Sequence, residues 1–588
     1  MEPIRLVIWD LDETFWRGTL AEEGIREFVQ EHHDLVIELA RRGIMSSICS
    51  KNDFRNVKGI LEAQKIWEYF VFPSIDWSPK GARIASIVEA SQLRPATILF
   101  IDDNHGNRAE AQAAVPGVEV ADETFIHEMR DHPLFRGKDD REFTRLRQYK
   151  LLEERATAQS KFTGDNRTFL AQSGIKVRII DDIEDKLDRV IEIINRTNQL
   201  NFTKQRLPSD AEESKAIIRK ALAVYFTRAG LVEVEDRYGK YGYCGFFMIS
   251  GVWGKISVSH FAFSCRVLGM GVEQWVYDII GRPEFEIVGE VLSKLDFTPD
   301  WINKNDTREK SSEDDYVISD IRIRGGCELE IIEHYFRANA VKVSSEFVSI
   351  RGLHVIASHN TAMLANALRG FDETQVQSLS ALGYEPTELQ TKFFTEAKTG
   401  SLHIYSPSGD SSIPLYRHKQ SGMKIALNFV DFGIPYGKSP SEIDEFVYSK
   451  ISTEAEKAAF YRALDELEAR YELVTEGWET VLNDDYKLIL NSVPQTSLLV
   501  VLLPSNVYQT DGKIETHSLL THNNSMFKSC VGAESNIFFV ETSELLDVKT
   551  QIPELLHYTR SGYRKIYQHV SEVYRKWLRS SGLASAAR

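Results

Sequence analysis

The sequence predicts an α/β chain of several domains, the first built on a parallel sheet. Three observations carry this. Short apolar runs at residues 6–9, 44–49 and 96–101 each end on a polar residue, helical stretches such as residues 34–42, stopped by Gly43, separate them, and the 588-residue length exceeds what one hydrophobic core serves. Apolar runs of strand length alternating with helices are the pattern of βαβ units. About three or four domains is the expectation for such a length.

The first strand leads directly into Asp10-Leu11-Asp12-Glu13-Thr14. Strand side chains alternate, so Asp10 and Asp12 are expected on one side as the chain leaves the sheet. Paired carboxylates at a strand end suit a hard, oxygen-loving ion such as Mg²⁺, with one of them facing a phosphorus atom that the ion polarises. The second strand closes on Ser50, whose hydroxyl is placed to bind a phosphoryl oxygen. Lys80, in Ser78-Pro79-Lys80-Gly81, stands at a helix start, where an ammonium neutralises phosphate and nucleophile charge together. The third strand ends in Asp102-Asp103-Asn104, a second acidic pair suited to a Mg²⁺ shell.

In this order and spacing the set resembles the four motifs of the haloacid-dehalogenase (HAD) superfamily, whose core is a Rossmann-like parallel sheet. The resemblance implies that Asp10 is the nucleophile that forms an aspartyl-phosphate, that Asp12 is the general acid/base, and that Ser50 and Lys80 complete the catalytic set. It implies Mg²⁺ held by Asp10, Asp12, Asp102 and Asp103, and substrate contacts from Thr14, Lys51, Asn52 and Asn104. A bound carboxylate must stay ionised to attack, whereas its neighbour must exchange a proton with the leaving group and then with water.

The segments Asp10-Leu11-Asp12-Glu13-Thr14-Phe15-Trp16-Arg17-Gly18, Ile48-Cys49-Ser50-Lys51-Asn52-Asp53 and Ile101-Asp102-Asp103-Asn104 are similar to the narrower FkbH-like group of glyceryltransferase/phosphatases. Members take 1,3-bisphosphoglycerate, remove both phosphates and deliver a glyceryl unit to an acyl carrier protein. The group's usual D-L-D-N-T-L-W-G-G is changed here at Glu13, Phe15 and Arg17. By this resemblance Cys49 carries the acyl group as a thioester. Thiolates attack acyl phosphates readily, and Lys51 beside it is expected to lower the thiol pKa.

These features imply a first domain over residues 1–138. A mixed-sign run that includes Arg141, Arg145, Arg147, Lys150, Glu153 and Glu154 then reads as a solvated helical linker over residues 139–167. Residues 168–320 alternate helices and strands, among them the stretches 186–195, 221–228, 243–250 and 255–263. At their heart Arg266-x-x-Gly269-x-Gly271 runs from a strand end into a helix. It resembles the R/Q-x-x-G-x-G/A segment of the GNAT-like α+β fold, where backbone N–H groups bind the pyrophosphate of coenzyme A. Asn195-Arg196-Thr197-Asn198 and Asp236-Arg237-Tyr238-Gly239 are also similar to segments of FkbH-like proteins, so that resemblance covers about the first 300 residues. It implies that Arg266, Gly269 and Gly271 receive the phosphopantetheine arm of a carrier protein.

Residues 321–588 carry their own apolar periodicity and must bury their own core. A strand, two glycines and Cys327 enter a helix expected over residues 328–336. A thiol at a helix N-terminus gains from the positive dipole end and from free N–H donors. Glu554-Leu555-Leu556-His557 precedes a terminal amphipathic helix. The layout resembles flavodoxin-like SGNH-type α/β esterases and the related GSCFA group, with Cys327 in place of the nucleophilic serine, His557 as base and Glu554 in the aspartate's position. His359, Asn360 and His517 read as loop residues.

A net charge of −16 with no basic stripe argues against nucleic acid and against anionic membranes. Five widely spaced cysteines form neither a disulfide framework nor a C-x-x-C metal pair. No apolar run approaches the ~18 residues of a membrane span, and the chain reads as cytoplasmic. The expectation is a bifunctional enzyme that dephosphorylates 1,3-bisphosphoglycerate and passes the glyceryl unit through a cysteine thioester to an acyl carrier protein in polyketide-type biosynthesis. The alternative is a HAD phosphatase fused to an acyltransferase acting on another carrier- or CoA-bound acyl group.

Overall fold

The computed structural model describes residues 2–252, 255–302, 318–337, 340–475, 480–510, 512–532 and 536–583. They fall into two compact units, one of Met1–Ile175, Val234–Gly242 and Cys265–Met270, the other of Lys176–Glu233, Tyr243–Ser264 and Gly271–Arg588.

The first unit is built on strands β1 (Leu6–Trp9), β4 (Met45–Ser50), β5 (Ser74–Ile75), β6 (Ile98–Ile101) and β7 (Glu119–Ala121), in the order β5-β4-β1-β6-β7. Every pairing in it is parallel. Strands β1, β4 and β6 are buried throughout, which explains their nearly unbroken apolar text. A two-stranded hairpin, β2 (Trp16–Arg17) and β3 (Glu27–Phe28), follows β1. Helices α1 (Gln30–Arg41), α2 (Phe54–Ala63), α3 (Lys80–Ser91) and α4 (His105–Ala114) connect the strands.

Register places the site. Ile8 pairs with Ser47 and Phe100, and Trp9 with Ile48 and Ile101. Val7, Trp9, Ile48, Leu99 and Ile101 face a core shared with Leu35, Val36 and Leu39 of α1. Asp10 therefore returns to the Ile8 face at the carboxyl edge of the sheet, in one row with Cys49 and Asp102.

Several elements differ from the sequence reading. Helix α1 starts four residues early because His32 and His33 are buried and belong to its inner face. Strand β6 starts late, since Pro95 opens a 3₁₀ turn over Pro95–Thr97. The supposed solvated linker is helix α5 (Thr144–Lys161), which buries Leu146, Tyr149, Leu152 and Arg155. Its charges sit between these positions, so composition alone hides the buried stripe.

Helix α6 (Asn166–Ser173) belongs to the first unit, and the first strand of the second unit follows it in sequence. Strands β8 (Lys176–Ile180), β9 (Leu200–Asn201), β10 (Thr227–Asp236), β11 (Gly239–Ser250) and β12 (Ser257–Phe263) form a sheet in the order β8-β10-β11-β12-β9. Helices α7 (Leu187–Arg196) and α8 (Ala211–Leu222) bury Val190, Ile193, Ile194 and Ile218 against Leu231, Phe246 and Met248. The stretch 221–228 read from sequence is the end of α8, a turn and the start of β10. Strand β12 leads through a 3₁₀ turn into α9 (Val272–Ile279), whose N-cap is Gly271.

A parallel sheet follows, of β13 (Ile318–Gly325), β14 (Ala340–Phe347), β17 (Leu402–Tyr405), β21 (Leu498–Leu503) and β24 (Ile537–Glu541), in the flavodoxin-like order β14-β13-β17-β21-β24. Helix α10 (Cys327–Arg337) and the terminal helix Arg560–Ser580 share its core, with Tyr563, Ile566, Val570 and Tyr574 packed toward Ile321, Ile323 and Val500. The sequence reading did not foresee a second, antiparallel sheet of β15 (Ser349–Arg351), β16 (His354–Ile356), β18 (Leu415–His418), β19 (Lys424–Phe429) and β20 (Tyr471–Leu473). It brackets β17 in sequence and has its own core around Tyr384, Leu427, Phe429 and Phe460. The Arg560 guanidinium donates to the carbonyls of Asp181 and Ala229, joining the terminal helix to the first sheet of this unit.

Ile323 is fully buried in inner strand β13. Ile323→Ala is expected to cost about 2–5 kcal/mol, read as a lowered denaturant midpoint for the second unit; a loss under about 1 kcal/mol would contradict this packing.

Candidate functional site

Asp10, Asp102 and Lys80 meet at the carboxyl edge of the first sheet, where β1 and β6 part toward opposite sides of the strand order. Lys80 Nζ lies 2.6 Å from Asp10 Oδ1 and 2.6 Å from Asp102 Oδ2, and all three side chains are buried. The ammonium also stands 5.8 Å from the Phe100 ring centroid, on the face that register assigns to Asp10. Burial raises the Asp10 carboxyl to about 6; the Lys80 charge opposes this and the Asp102 charge adds to it. Lys80 itself is held above its ordinary value, because its two carboxylate partners outweigh its desolvation. One ammonium shared by two carboxylates stays charged without neutralising both.

Asp102 is fixed from several directions. The Asn104 N–H donates to Oδ1 at 2.8 Å, and Asn107 Nδ2 reaches both oxygens at 3.1 Å. Asp103 is exposed, and its N–H donates to Thr14 Oγ1 at 3.0 Å, tying the loop after β6 to the loop after β1. Among the described residues, Asp10, Asp102 and Asp103 bring carboxylate oxygens within 4.8 Å of one another. A single ammonium leaves most of that charge uncompensated, and an all-oxygen donor set of this kind fits a divalent cation such as Mg²⁺.

Asp12, expected among the metal carboxylates, is not one of that three-carboxylate group. Its Oδ1 accepts from Trp16 Nε1 at 2.9 Å and from the Leu20 N–H at 3.0 Å, and its Oδ2 accepts from Asn52 Nδ2 at 2.9 Å. Asn52 also donates to Ser50 Oγ at 3.1 Å, so Ser50, Asn52 and Asp12 form one chain. Asn104, expected to touch substrate, caps α4 by accepting from the Gly106 and Asn107 N–H groups. Glu13 sits at a positive φ of 50° and pairs with Arg26, which takes up its charge.

Cys49 stands in the row with Asp10 but is sealed within β4. Burial pushes its thiol up to about 12, against the opposing charges of Arg83 and Lys80. Lys51, expected to lower this thiol, is exposed, and the leading charges on Cys49 are those of Arg83, Lys80, Asp10 and Asp102. Arg83 is nearly buried and donates to the carbonyls of Ser50, Ser74 and Asp76, clamping the ends of β4 and β5 to α3. Sequence reasoning missed Arg83, although its place three residues after Lys80 on the same helix face was a usable signal. It also missed Trp16 and Asn107, whose roles arise from loop closure.

The Arg266 guanidinium donates to the Tyr241 carbonyl at 2.7 Å. Gly269 and Gly271 both have positive φ, 73° and 82°. An added Cβ at Gly271 would come within 2.9 Å of the Trp301 indole, so that glycine answers a close packing contact.

In the second unit, Cys327 opens α10 directly after β13. Its Sγ lies 3.4 Å from His557 Nε2, and His557 Nδ1 lies 2.7 Å from Glu554 Oε1, close enough for a charge contact but out of line for the Nδ1–H bond. The structure thus brings together Cys327, His557 and Glu554 across more than two hundred residues of sequence. Burial, then the charges of Glu328 and Glu330, raise the Cys327 thiol well above its ordinary value, so a base must remove its proton for attack. The Tyr225 ring stacks on His557 with centroids 4.2 Å apart, a contribution no local motif announced. His359 is buried, with its imidazole lowered to about 3 by desolvation. Asn360 and His517 are helix N-caps rather than plain loop residues.

No family model matches the sequence, and no curated protein matches it. Among solved structures, the chain is similar to the N-terminal part of BF1531 from Bacteroides fragilis, containing a phosphatase domain complexed with Mg, at 24% identity over 24% of this chain and 39% of that one, with a TM-score of 0.19. It is similar to an uncharacterized protein from Corynebacterium glutamicum at 17% identity over 22% of this chain and 95% of that one, with a TM-score of 0.18. It is also similar to the cobalt-bound deoxy-D-mannose-octulosonate 8-phosphate phosphatase from Haemophilus influenzae, at 17% identity over 29% of this chain and 97% of that one, with a TM-score of 0.17. The match thus spans about two fifths of the BF1531 fragment. Among the described residues no helix is long and apolar enough to cross a membrane.

Asp10 holds its proton more tightly in the folded chain, at about 6, than the ordinary 3.8 of an unfolded one. The folded state therefore binds more protons between those values, and this group's contribution to stability falls as pH rises from about 4 to about 6. Thermal unfolding in chelator should show wild type losing stability relative to Asp10→Asn across that window; parallel curves for the two proteins would refute the assignment.

Proposed function

We propose that the first unit hydrolyses phosphate monoesters with the help of a divalent cation. The observation that carries this reading is the convergence of Asp10, Asp102 and Asp103 around buried Lys80 at the carboxyl edge of a parallel sheet. Asp10 attacks phosphorus, and the bond to the leaving oxygen breaks as Asp12 supplies its proton. Water then attacks the aspartyl-phosphate, and Asp12 takes the proton back. Asp12 suits this role because Trp16, the Leu20 N–H and Asn52 orient it apart from the three-carboxylate group. A cation held by Asp10, Asp102 and Asp103 supplies charge neutralisation at the phosphoryl oxygens. Lys80 stabilises the same charge and holds Asp10 in line.

The finer reading takes 1,3-bisphosphoglycerate as substrate and an acyl carrier protein as acceptor, with the glyceryl unit passing through a thioester on Cys49. The similarity of the segments around Asp10, Cys49 and Asp102 to FkbH-like proteins supports it, as does the place of Cys49 in the row with Asp10. A second reading, a phosphatase fused to an acyltransferase for a different carrier- or CoA-bound acyl group, is favoured by one observation. The Cys49 thiol is sealed and raised, whereas Cys327 has a histidine at 3.4 Å.

Phosphate release from p-nitrophenyl phosphate should require Mg²⁺ and fall by at least about 10³-fold in Asp10→Asn and about 10²–10⁴-fold in Asp12→Asn. Metal-independent release, or an active Asp10→Asn protein, would sink the phosphatase reading. Intact-protein mass spectrometry after addition of 1,3-bisphosphoglycerate separates the finer readings. A glyceryl adduct that disappears in Cys49→Ala supports the first, and phosphate release without any adduct on Cys49 supports the second.

A further inference from the structure

The second unit holds a cavity of about 260 Å³ whose lining includes Tyr225, Phe226, Val252, Ile331 and Tyr563, with Cys327 and His557 in its wall. Two features mark it as more than a packing defect. It opens at the carboxyl end of β13, where β14 and β17 lie on opposite sides of that strand, the point at which open parallel sheets receive ligands. In addition, the Tyr563 side chain is fully buried, its hydroxyl has no hydrogen-bond partner of acceptable geometry among the described residues, and it lines the same cavity as Cys327. A buried hydroxyl left without a partner costs stability unless a ligand supplies one.

We propose that Cys327, His557 and Tyr563 form a second active centre that takes a short apolar acyl group from an ester or thioester and holds it as a thioester on Cys327. The cavity wall is aromatic and aliphatic, so it excludes a polyhydroxylated or phosphorylated acyl unit. Its volume is nearly twice the ~150 Å³ that accommodates benzene, which corresponds to an acyl group of about ten non-hydrogen atoms or fewer. His557 Nε2 takes the Cys327 proton as Sγ bonds to the carbonyl carbon. Tyr563 donates to the oxygen that becomes negative. The bond from that carbon to the leaving oxygen or sulfur breaks, and the leaving atom receives the proton from His557. An acceptor thiol or water then repeats the sequence in reverse and restores the Cys327 thiol. Tyr225 is a positioning residue: its ring stacks on the imidazole, and its hydroxyl donates to Glu554.

This centre does not rest on the phosphatase reading and is tested on the full chain without phosphate ester. The probes are the N-acetylcysteamine thioesters of acetate, hexanoate and dodecanoate, and p-nitrophenyl hexanoate. Mass spectrometry should find a hydroxylamine-labile hexanoyl adduct on the peptide that carries Cys327, absent in Cys327→Ala. Acylation should slow about 10²-fold in His557→Gln and Tyr563→Phe, with unfolding midpoints and Cys327 alkylation by iodoacetamide retained in Tyr563→Phe. Val252→Phe, which narrows the cavity, should turn the preference from hexanoyl to acetyl. Adduct from the thioester alone supports the centre and identifies a carrier- or CoA-type donor, while adduct from the oxoester alone supports it with an ester donor. No adduct from any probe while iodoacetamide still alkylates Cys327, or an unchanged rate in His557→Gln, overturns the proposal. Dodecanoyl transfer as fast as hexanoyl transfer overturns the assigned acyl class.

Discussion

The first site depends on one buried ammonium. Without Lys80, Asp10 and Asp102 would face each other in a setting too dry to hold two like charges, and one would take up a proton. With it, both can point to the same place, and the loops behind them can close. The hydrogen bonds of Asn104 and Asn107 hold the Asp102 carboxyl in place, and the tie between Thr14 and Asp103 joins the two loops beside it. Desolvation offsets the attraction within such a buried cluster. The cluster's clear effect is to specify geometry.

The same topological logic recurs in the second unit on unrelated sequence. In each parallel sheet the first strand in sequence is an inner one, flanked on one side by the second strand and on the other by a later one. Connections leave such a strand in opposite directions and open a crevice at its carboxyl end. Asp10 follows β1 at one crevice, and Cys327 follows β13 at the other. The chemistry differs because the crevices differ in lining: charged and hydrogen-bonded in the first, aromatic in the second.

Asp10, Lys80 and Asp102 were legible from sequence because strand ends and helix starts are local features, and register then brings them together. Cys327 was legible for the same reason, through its place between a strand and a helix. The orientation of Asp12 was not, since Trp16 and Asn52 reach it only after the hairpin β2–β3 and the loop after β4 have closed. Nor could the surroundings of Cys49 be read from its neighbours: Lys51 is two positions on, past the end of β4, and is exposed, whereas Cys49 is buried within the strand. The inserted antiparallel sheet was missed because its short strands, three to six residues long, give too little periodicity to separate from loops. Helix α5 was misjudged because its apolar positions are sparse among charges.

The wall of the Cys327 cavity has a consequence for how this chain can be divided. Tyr225, Phe226 and Val252 precede the parallel sheet that carries Cys327, and Arg560 reaches back to the carbonyls of Asp181 and Ala229. A fragment cut at residue 318 would retain Cys327, Glu554 and His557 yet expose the imidazole face and the helix seam to water. The smallest inheritable or expressible piece that keeps this cavity therefore begins near Lys176, and recombination between the β8–β12 sheet and the parallel sheet would separate Cys327 from its own enclosure.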